Sequence, residues 1–302
     1  MVAVQRKVDE KTKTWSIIIG SGINEIEFVI LRNTKKNMQR RNFLRSSMLT
    51  ATVAGLTPGF ALASDDSEKQ KRKKQEFYEL REYTFASDAQ QKLVEDYYEK
   101  AAIPALNRLG SKNVGVFREL EAKGQARLFV LIPFSSFDAF TGMRDALVKD
   151  KAYQAAAAAY LNAEVKTPAY SRIQSSLLKS FTNMPQLMVP EKKPRLLELR
   201  RYESHSELAG IKKIHMFNEG GEIEIFKRVG LDPVFFGETI IGEKIPNLTY
   251  MIAFDDMPEH DKNWKAFSSD PQWVKLKDLP EYKDTVSTIT RTFVAPADFS
   301  QV

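Results

Sequence analysis

The chain has 302 residues, no cysteine, and a formal net charge of +6 at pH 7 from 45 Lys and Arg against 39 Asp and Glu. The lack of cysteine excludes disulfides, thiolate catalysis and cysteine-bound metal. Residues 1–63 hold 10 of the basic and 4 of the acidic residues, which leaves 35 of each in the remainder. A remainder with balanced charge has no general attraction to nucleic acid or to anionic membranes, so we expect neither as a partner.

Residues 1–37 contain two strand-like segments, SIII and IEFVIL, and precede Met38. Signal peptides normally begin just before their basic residues, and Met38 stands two residues before Arg40. We therefore expect translation to start at Met38, which makes residues 1–37 an upstream extension that is not translated natively. The alternative is that residues 1–37 belong to an unusually long basic region of the signal peptide. Cleavage would then give the same mature chain.

Residues 38–63 have the features of a twin-arginine export signal. Arg40 and Arg41 precede an apolar stretch that ends in the small residues Ala61 and Ala63, the order in which the regions of a signal peptide follow one another. The apolar stretch is too short and too rich in Thr, Ser and Gly to remain as a membrane-spanning helix. We expect the twin-arginine export machinery to bind the precursor, cleavage after Ala63, and a periplasmic or secreted mature protein.

After a charged linker over residues 64–75, residues 76–182 show the element order of a first folded unit. Residues 77–84 alternate as a strand, and helical spacing begins after Ser87 and stops at Gly110. The elements predicted next are strands over 114–120 and 127–134, helices over 137–147 and 152–161, and a strand over 173–181.

Residues 183–194, which include three prolines, form a second linker, and residues 195–299 repeat the same element order. The predicted elements are a strand over 196–203, a long helix over 207–229 weakened at Gly220 and Gly221, a hairpin of 234–243 and 248–254, short helices over 259–267 and 271–279, and a strand over 285–294.

The two units are copies of one another. ELREY at residues 79–83 returns as ELRRY at residues 198–202, LVKDKAY aligns with FSSDPQW, and SLLKSF aligns with TITRTF. The repeated order predicts an α+β fold of two tandem ferredoxin-like β-α-β-β-α-β units. Each unit leaves one face of its antiparallel sheet bare, and an α/β barrel that sets the two bare faces together covers both.

Strand alternation places Glu198, Arg200 and Tyr202 on one face of their strand, as it does Arg81 and Tyr83 in the first copy. Because the leucines between them suit a helix-covered face, we expect both Glu-x-Arg-x-Tyr triplets to face the barrel interior. One interpretation is a polar floor that binds an anionic or carbonyl group. The other is a ladder of Glu–Arg pairs that fixes the contact between the repeats.

The segments YELREY, LELRRY, VGLDPVFFGE, LTYMIAFDDM and NWKAFSSDPQW resemble the NIPSNAP family. The similarity covers the whole second unit, whereas the first unit has Arg144 and Leu147 where the second has Trp264 and Phe267. The resemblance implies a dimeric α/β-barrel fold, often in exported bacterial proteins, and a homodimer of this chain is a related expectation. The activity of the family is unsettled, so the resemblance assigns no catalytic residue.

The aromatic and histidine residues single out the second unit as the place of a site. Trp264 and Trp273 either pack in the core or form the wall of a pocket for a flat apolar ligand. His215, on the long helix, is the candidate general base, while His205 and His260 are spaced unlike any compact metal motif. Ordinary surface or capping roles for all three histidines are the alternative, and we expect no metal ion and no cofactor.

These residues predict a pocket between the sheet and the long helix of the second unit, for a small apolar or carbonyl-bearing molecule. In it, Arg200 anchors the polar group, Tyr202 donates a hydrogen bond and Glu198 orients the arginine, with Trp264 and Trp273 as the apolar wall. Two alternatives stay open. One is a non-catalytic structural or protein-interaction module, and the other is a cofactor-independent oxygenase or isomerase.

Overall fold

The computed structural model describes residues 74–302 and the backbone of two upstream strands, β1 (Val4–Asp9) and β2 (Thr14–Ile19). The chain divides into two compact units, Met1–Asp66 and Ser67–Val302. β1 and β2 pair antiparallel, with Val4 opposite Ile19, which confirms the strand predicted for the segment SIII. The strand predicted for IEFVIL, the export signal with Arg40 and Arg41, and the cleavage site lie outside the described residues.

The first repeat has the predicted β-α-β-β-α-β order. Ser87 accepts a hydrogen bond from the amide of Gln90 and so caps the first helix, as the sequence indicates. A π-helical turn, Tyr98–Ala102, interrupts this helix, and Ala157 interrupts the alanine-rich helix. The elements are β3 (Phe77–Thr84), α1 (Asp88–Tyr97), α2 (Ile103–Arg108), β4 (Gly115–Glu119), β5 (Arg127–Phe134), α3 (Phe137–Lys149), α4 (Lys151–Ala156), α5 (Ala158–Leu161) and β6 (Arg172–Ser180).

The second repeat has the same order, but its predicted long helix is divided in two. Gly221 has a φ of +86°, in the left-handed region that favours glycine, and separates the two parts. The elements are β7 (Leu196–Glu203), α6 (Glu207–Asn218), α7 (Glu222–Arg228), β8 (Asp232–Ile241), β9 (Asn247–Phe254), α8 (Met257–Ser269), α9 (Pro271–Lys277) and β10 (Thr288–Pro296). None of the helices in the described part of the chain has both the length and the apolar character of a membrane span.

Eight strands close into one antiparallel barrel in the order β10-β4-β5-β3-β6-β8-β9-β7. The first strand of each repeat lies inside its own sheet, β3 between β5 and β6, and β7 between β9 and β10. The two sheets join at two seams, where β6 pairs with β8 and β10 pairs with β4. The predicted barrel is therefore confirmed, and edge pairing at the seams makes both bare faces line one lumen.

The expected orientation of the Glu-x-Arg-x-Tyr triplets is wrong. Leu80 and Leu199 lie in the apolar core of the lumen, whereas Tyr83 and Tyr202 lie in the cores between each sheet and its helices. The core of the lumen consists of apolar aliphatic and aromatic side chains, most of them from the strands, which can be buried there without unpaired polar groups. The helices supply hydroxyl and indole partners for the buried charges, which is why the triplets face them.

Candidate functional site

The second-repeat triplet forms a compact buried cluster with one residue of α8. Glu198 has no exposed surface and accepts hydrogen bonds from Arg200 Nη1 at 3.0 Å and from Trp264 Nε1 at 2.9 Å. Arg200 Nη2 donates to the hydroxyl of Tyr202 at 3.1 Å, and the guanidinium lies 4.2 Å from the centroid of a Trp264 ring. The structure thus brings together four of the residues singled out from the sequence, on the helix-covered face.

A buried ion pair extends this cluster towards α7. Lys213 Nζ donates to Glu222 Oε2 at 2.7 Å, and both side chains are buried. Lys213 Nζ also lies 5.5 Å from the centroid of a Trp273 ring, which connects Trp273 to the cluster. Burial raises the pKa of Glu222, and the charge of Lys213 offsets part of that rise. Sequence reasoning missed this pair, although Lys213 follows the buried Ala209 at helical spacing.

The histidine next to the triplet is His260, and His215 lies elsewhere. His260 is buried on α8, with Nε2 3.4 Å from Glu198 Oε2. His215 is exposed, and its Nδ1 lies 2.8 Å from the hydroxyl of Tyr282. Within residues 74–302 no hydrogen bond or ion pair links His215 to Glu198. The sequence signal for His260 was its spacing from Trp264, four residues later on the same helix.

The first-repeat triplet is part of a network of tyrosines. Arg81 donates from Nε and Nη2 to Glu79 at 2.7 and 2.9 Å, and from Nη1 to the hydroxyl of Tyr98 at 3.3 Å. The hydroxyl of Tyr83 lies 2.9 Å from that of Tyr98 and 3.1 Å from that of Tyr160. Burial raises the pKa of Tyr83 and Tyr98, so these phenols stay protonated and keep the network intact.

An open cavity of about 300 Å³ occupies one end of the barrel lumen. Residues of both repeats line it, with Phe129 and Leu199 as apolar surface and Arg127, Arg201 and Thr290 among the polar groups. The volume is at the lower end of the range typical of small-molecule sites, about 300–1,000 Å³. The cavity therefore has the size and the mixed lining of a site for a small organic molecule.

Most charged groups at this cavity are already held by protein partners. Arg127 donates from Nη1 to Glu82 at 2.9 Å and from Nε to Glu119 at 2.8 Å. Glu243 accepts a hydrogen bond of 2.9 Å from Gln174 Nε2. These contacts leave the cavity walls polar without leaving their carboxylates free.

Arg201 is the exception among the charged groups of the cavity. Its side chain forms no hydrogen bond and no ion pair with any other residue of the described range 74–302. In the ladders of β7 it stands directly opposite Thr249 of β9 and Thr290 of β10, and all three side chains line the cavity. The lining of the cavity thus includes one guanidinium without a protein partner and a threonine from each neighbouring strand.

The sequence analysis did not identify Arg201 as a site residue, because it selected the residues that the two copies have in common. ELREY and ELRRY differ at one position, where Glu82 in the first repeat corresponds to Arg201 in the second. Both side chains line the lumen cavity, one from β3 and one from β7. The difference between the copies, rather than their identity, was the signal that could have found the site.

Among residues 74–302, no group of three or more His, Asp or Glu side chains is placed to hold a metal ion. The residues suited to bind a small molecule are the guanidinium, hydroxyl and apolar groups of the lumen.

Comparisons with known proteins bear on the two repeats separately. The NIPSNAP family model matches residues 78–182 and again residues 197–301. No curated protein sequence matches the chain.

Solved structures similar to this chain include a NIPSNAP family protein of unknown function from Agrobacterium tumefaciens, at 21% identity and a TM-score of 0.32, covering 37% of this chain and 97% of that one. A NIPSNAP-like domain protein from Burkholderia xenovorans is similar at 18% identity and a TM-score of 0.32, covering 35% and 89%. An anthrone oxidase-like protein is similar at 9% identity and a TM-score of 0.44, covering 75% and 93%. Because the two family matches together cover more than half of the sequence, one on each repeat, the chain belongs to the NIPSNAP family.

Proposed function

We propose that this NIPSNAP family protein binds a small organic molecule in the open end of its barrel lumen. The observation that carries the proposal is the cavity of about 300 Å³ to which both repeats contribute. Its lining combines the apolar surface of Phe129 and Leu199 with polar groups that include Arg201, which suits a molecule with an apolar body and an anionic or carbonyl end. The proposal applies to the exported, mature protein that the signal in residues 38–63 predicts.

The helix-side cluster of the second repeat supports a structural role for its triplet. Both carboxylate oxygens of Glu198 accept hydrogen bonds, and Arg200 lies against Trp264. A ligand that approached Arg200 would have to displace the indole that covers it. The lumen offers space without such displacement, so we place the ligand there and not between the sheet and the long helix.

The chemistry of the cavity favours binding over catalysis. Glu82 and Glu243 already accept hydrogen bonds from Arg127 and Gln174. The remaining polar groups include threonine hydroxyls and a guanidinium, which hold a ligand but do not exchange protons readily near neutral pH. Binding is therefore better supported than an oxygenase or isomerase activity.

A variant that fills the cavity tests the proposal. Thr290 lines the cavity and is exposed, whereas its neighbour Ile289 is 48% exposed and points to the opposite face of β10. We would screen a library of small organic molecules against the full chain by ligand-observed NMR and repeat the hits with Thr290→Trp and Ile289→Trp. Hits that bind the parent chain and Ile289→Trp but not Thr290→Trp support the lumen site. Equal binding to all three chains would contradict it.

A further inference from the structure

We propose that the lumen site is selective for small monocarboxylates and that Arg201 binds the carboxylate. This inference rests on the proposed lumen site and adds the chemical class of its ligand. It concerns a residue that neither the sequence motifs nor the family match singles out.

One of the cations at the cavity has no ion-pair partner among residues 74–302. Arg127 lies between Glu82 and Glu119, and Lys244 lies 3.7 Å from Glu203. Arg201 has no carboxylate within ion-pair distance among residues 74–302. With the other cations paired, Arg201 is the cation that remains available for a ligand anion.

The groups around Arg201 match the hydrogen-bonding capacity of a carboxylate. A carboxylate has two oxygens that accept several hydrogen bonds, and a guanidinium can satisfy both oxygens at once. Thr249 and Thr290 are the direct cross-strand neighbours of Arg201 on its two sides, and side chains in such positions have Cβ atoms about 4.5–5.5 Å apart. The Thr290 hydroxyl has no hydrogen-bond partner among residues 74–302 and lines the same cavity as Arg201, so it is available to an anion there, whereas the Thr249 hydroxyl donates to Asn247 Oδ1 at 3.4 Å.

The same surroundings disfavour ligands of higher charge. Glu82 and Glu243 also line the cavity, and their charges repel a second negative charge on the ligand. The apolar surface of Phe129 and Leu199, in a cavity of about 300 Å³, accommodates a body of roughly one ring. A small aromatic monocarboxylate combines the single charge with such a body.

Benzoate and benzamide form a matched pair of probes, because benzamide keeps the shape of benzoate and lacks its charge. Isothermal titration calorimetry on the full chain would compare both probes with the parent, with Arg201→Gln, and with Arg291→Gln as control. Arg291 is exposed on β10 and points away from the lumen. A charge-assisted contact of about 1.5–3 kcal/mol corresponds to roughly a tenfold to hundredfold loss of affinity.

We expect Arg201→Gln to weaken benzoate binding at least about tenfold, Arg291→Gln to leave it unchanged, and benzamide to bind the parent at least about tenfold more weakly than benzoate. Thermal unfolding of each variant checks that the fold is kept, and Arg201→Lys, which keeps the charge, should retain part of the benzoate affinity.

Four outcomes would overturn the inference. They are no benzoate binding to the parent, equal affinity for benzoate and benzamide, equal losses in Arg201→Gln and Arg291→Gln, and stronger binding of inorganic phosphate than of benzoate. The Thr290→Trp variant separates these results from a failure of the lumen site itself. If neutral molecules bind the parent chain but not Thr290→Trp, the lumen site is supported and only its selectivity for carboxylates is wrong.

Discussion

Trp264 donates a hydrogen bond of 2.9 Å from its indole Nε1 to Oε2 of Glu198, a carboxylate that is wholly buried. This bond ties α8 to β7. The substitution Trp264→Phe keeps an aromatic ring and removes the donor, so a buried charged acceptor loses one of its partners. We expect the free energy of unfolding to fall by about 2–3 kcal/mol, measured by urea denaturation.

The control for this substitution is Trp273→Phe. Trp273 packs against Phe267 with ring centroids 4.4 Å apart, and its indole Nε1 donates no hydrogen bond within residues 74–302. We expect a loss of about 1 kcal/mol or less from the smaller ring alone. Equal losses in the two variants would show that the hydrogen bond to Glu198 contributes little.

The buried pair of Lys213 and Glu222 predicts a destabilisation that depends on pH. Lys213→Met leaves the Glu222 carboxylate buried without its cation, and we expect a loss of about 3–5 kcal/mol at neutral pH. Burial already raises the pKa of Glu222 above its ordinary value of 4.5, and removing Lys213 raises it further. For an acid whose pKa is raised in the folded state, stability is lost as the pH rises through that folded pKa.

The loss caused by Lys213→Met should therefore shrink in mildly acidic buffer, where Glu222 becomes neutral. Urea denaturation of parent and variant at both pH values measures the difference. The exposed pair of Lys227 and Glu224 provides the control, because Lys227→Met should change stability little at either pH. A loss that is the same at both pH values would contradict a buried charge as its cause.

The buried tyrosines predict that the protein unfolds cooperatively at alkaline pH, as their phenols ionise. Burial raises the pKa of eight of the ten tyrosines, Tyr83, Tyr98 and Tyr250 among them. The folded protein keeps these protons above the ordinary pKa of about 10 while the unfolded chain loses them, so stability falls as the pH rises. Phenolate absorbance and circular dichroism should change together, whereas phenolate absorbance that rises well before the fold is lost would argue against buried phenols.

Two glycine-to-alanine substitutions should have opposite effects. Gly142 lies inside α3, is exposed, and has open space where a Cβ would be placed, so Gly142→Ala should stabilise the protein by about 1 kcal/mol. A Cβ on Gly237 would lie 2.9 Å from Cβ of Leu178 at the seam of β6 and β8, so Gly237→Ala should destabilise it by about 1–3 kcal/mol. Thermal or urea unfolding measures both, and changes of the same sign would contradict the prediction.

The element order and the duplication could be predicted from the sequence because both have local signals. Alternation located β3 and β5 at residues 77–84 and 127–134, as the structure has them. Which face of these strands meets the helices could not be predicted in the same way, since both faces of β7 are largely buried. That choice depends on the closure of the barrel at its seams, and strand edges that pair across the chain leave no local pattern.

The candidate site also depends on which face of a strand meets the helices, and here the choice separates two neighbouring residues. Arg200 and Arg201 are neighbours in ELRRY, and the sequence favoured Arg200 because its counterpart Arg81 is repeated. Successive side chains of a strand point to opposite faces, so Arg200 lies with Trp264 while Arg201 lies in the lumen cavity. The residue available to a ligand could be identified only once the faces were known.

The two seams also have a consequence for how the barrel responds to dilution. β6 pairs with β8 and β10 with β4, so the backbone hydrogen bonds that close the barrel run between the repeats. In two separate chains such contacts would follow mass action, and a barrel made of them would dissociate at low concentration. Here one polypeptide joins the repeats, and each half meets the other at an effective concentration that the connection sets. A scarce protein built this way keeps its lumen complete.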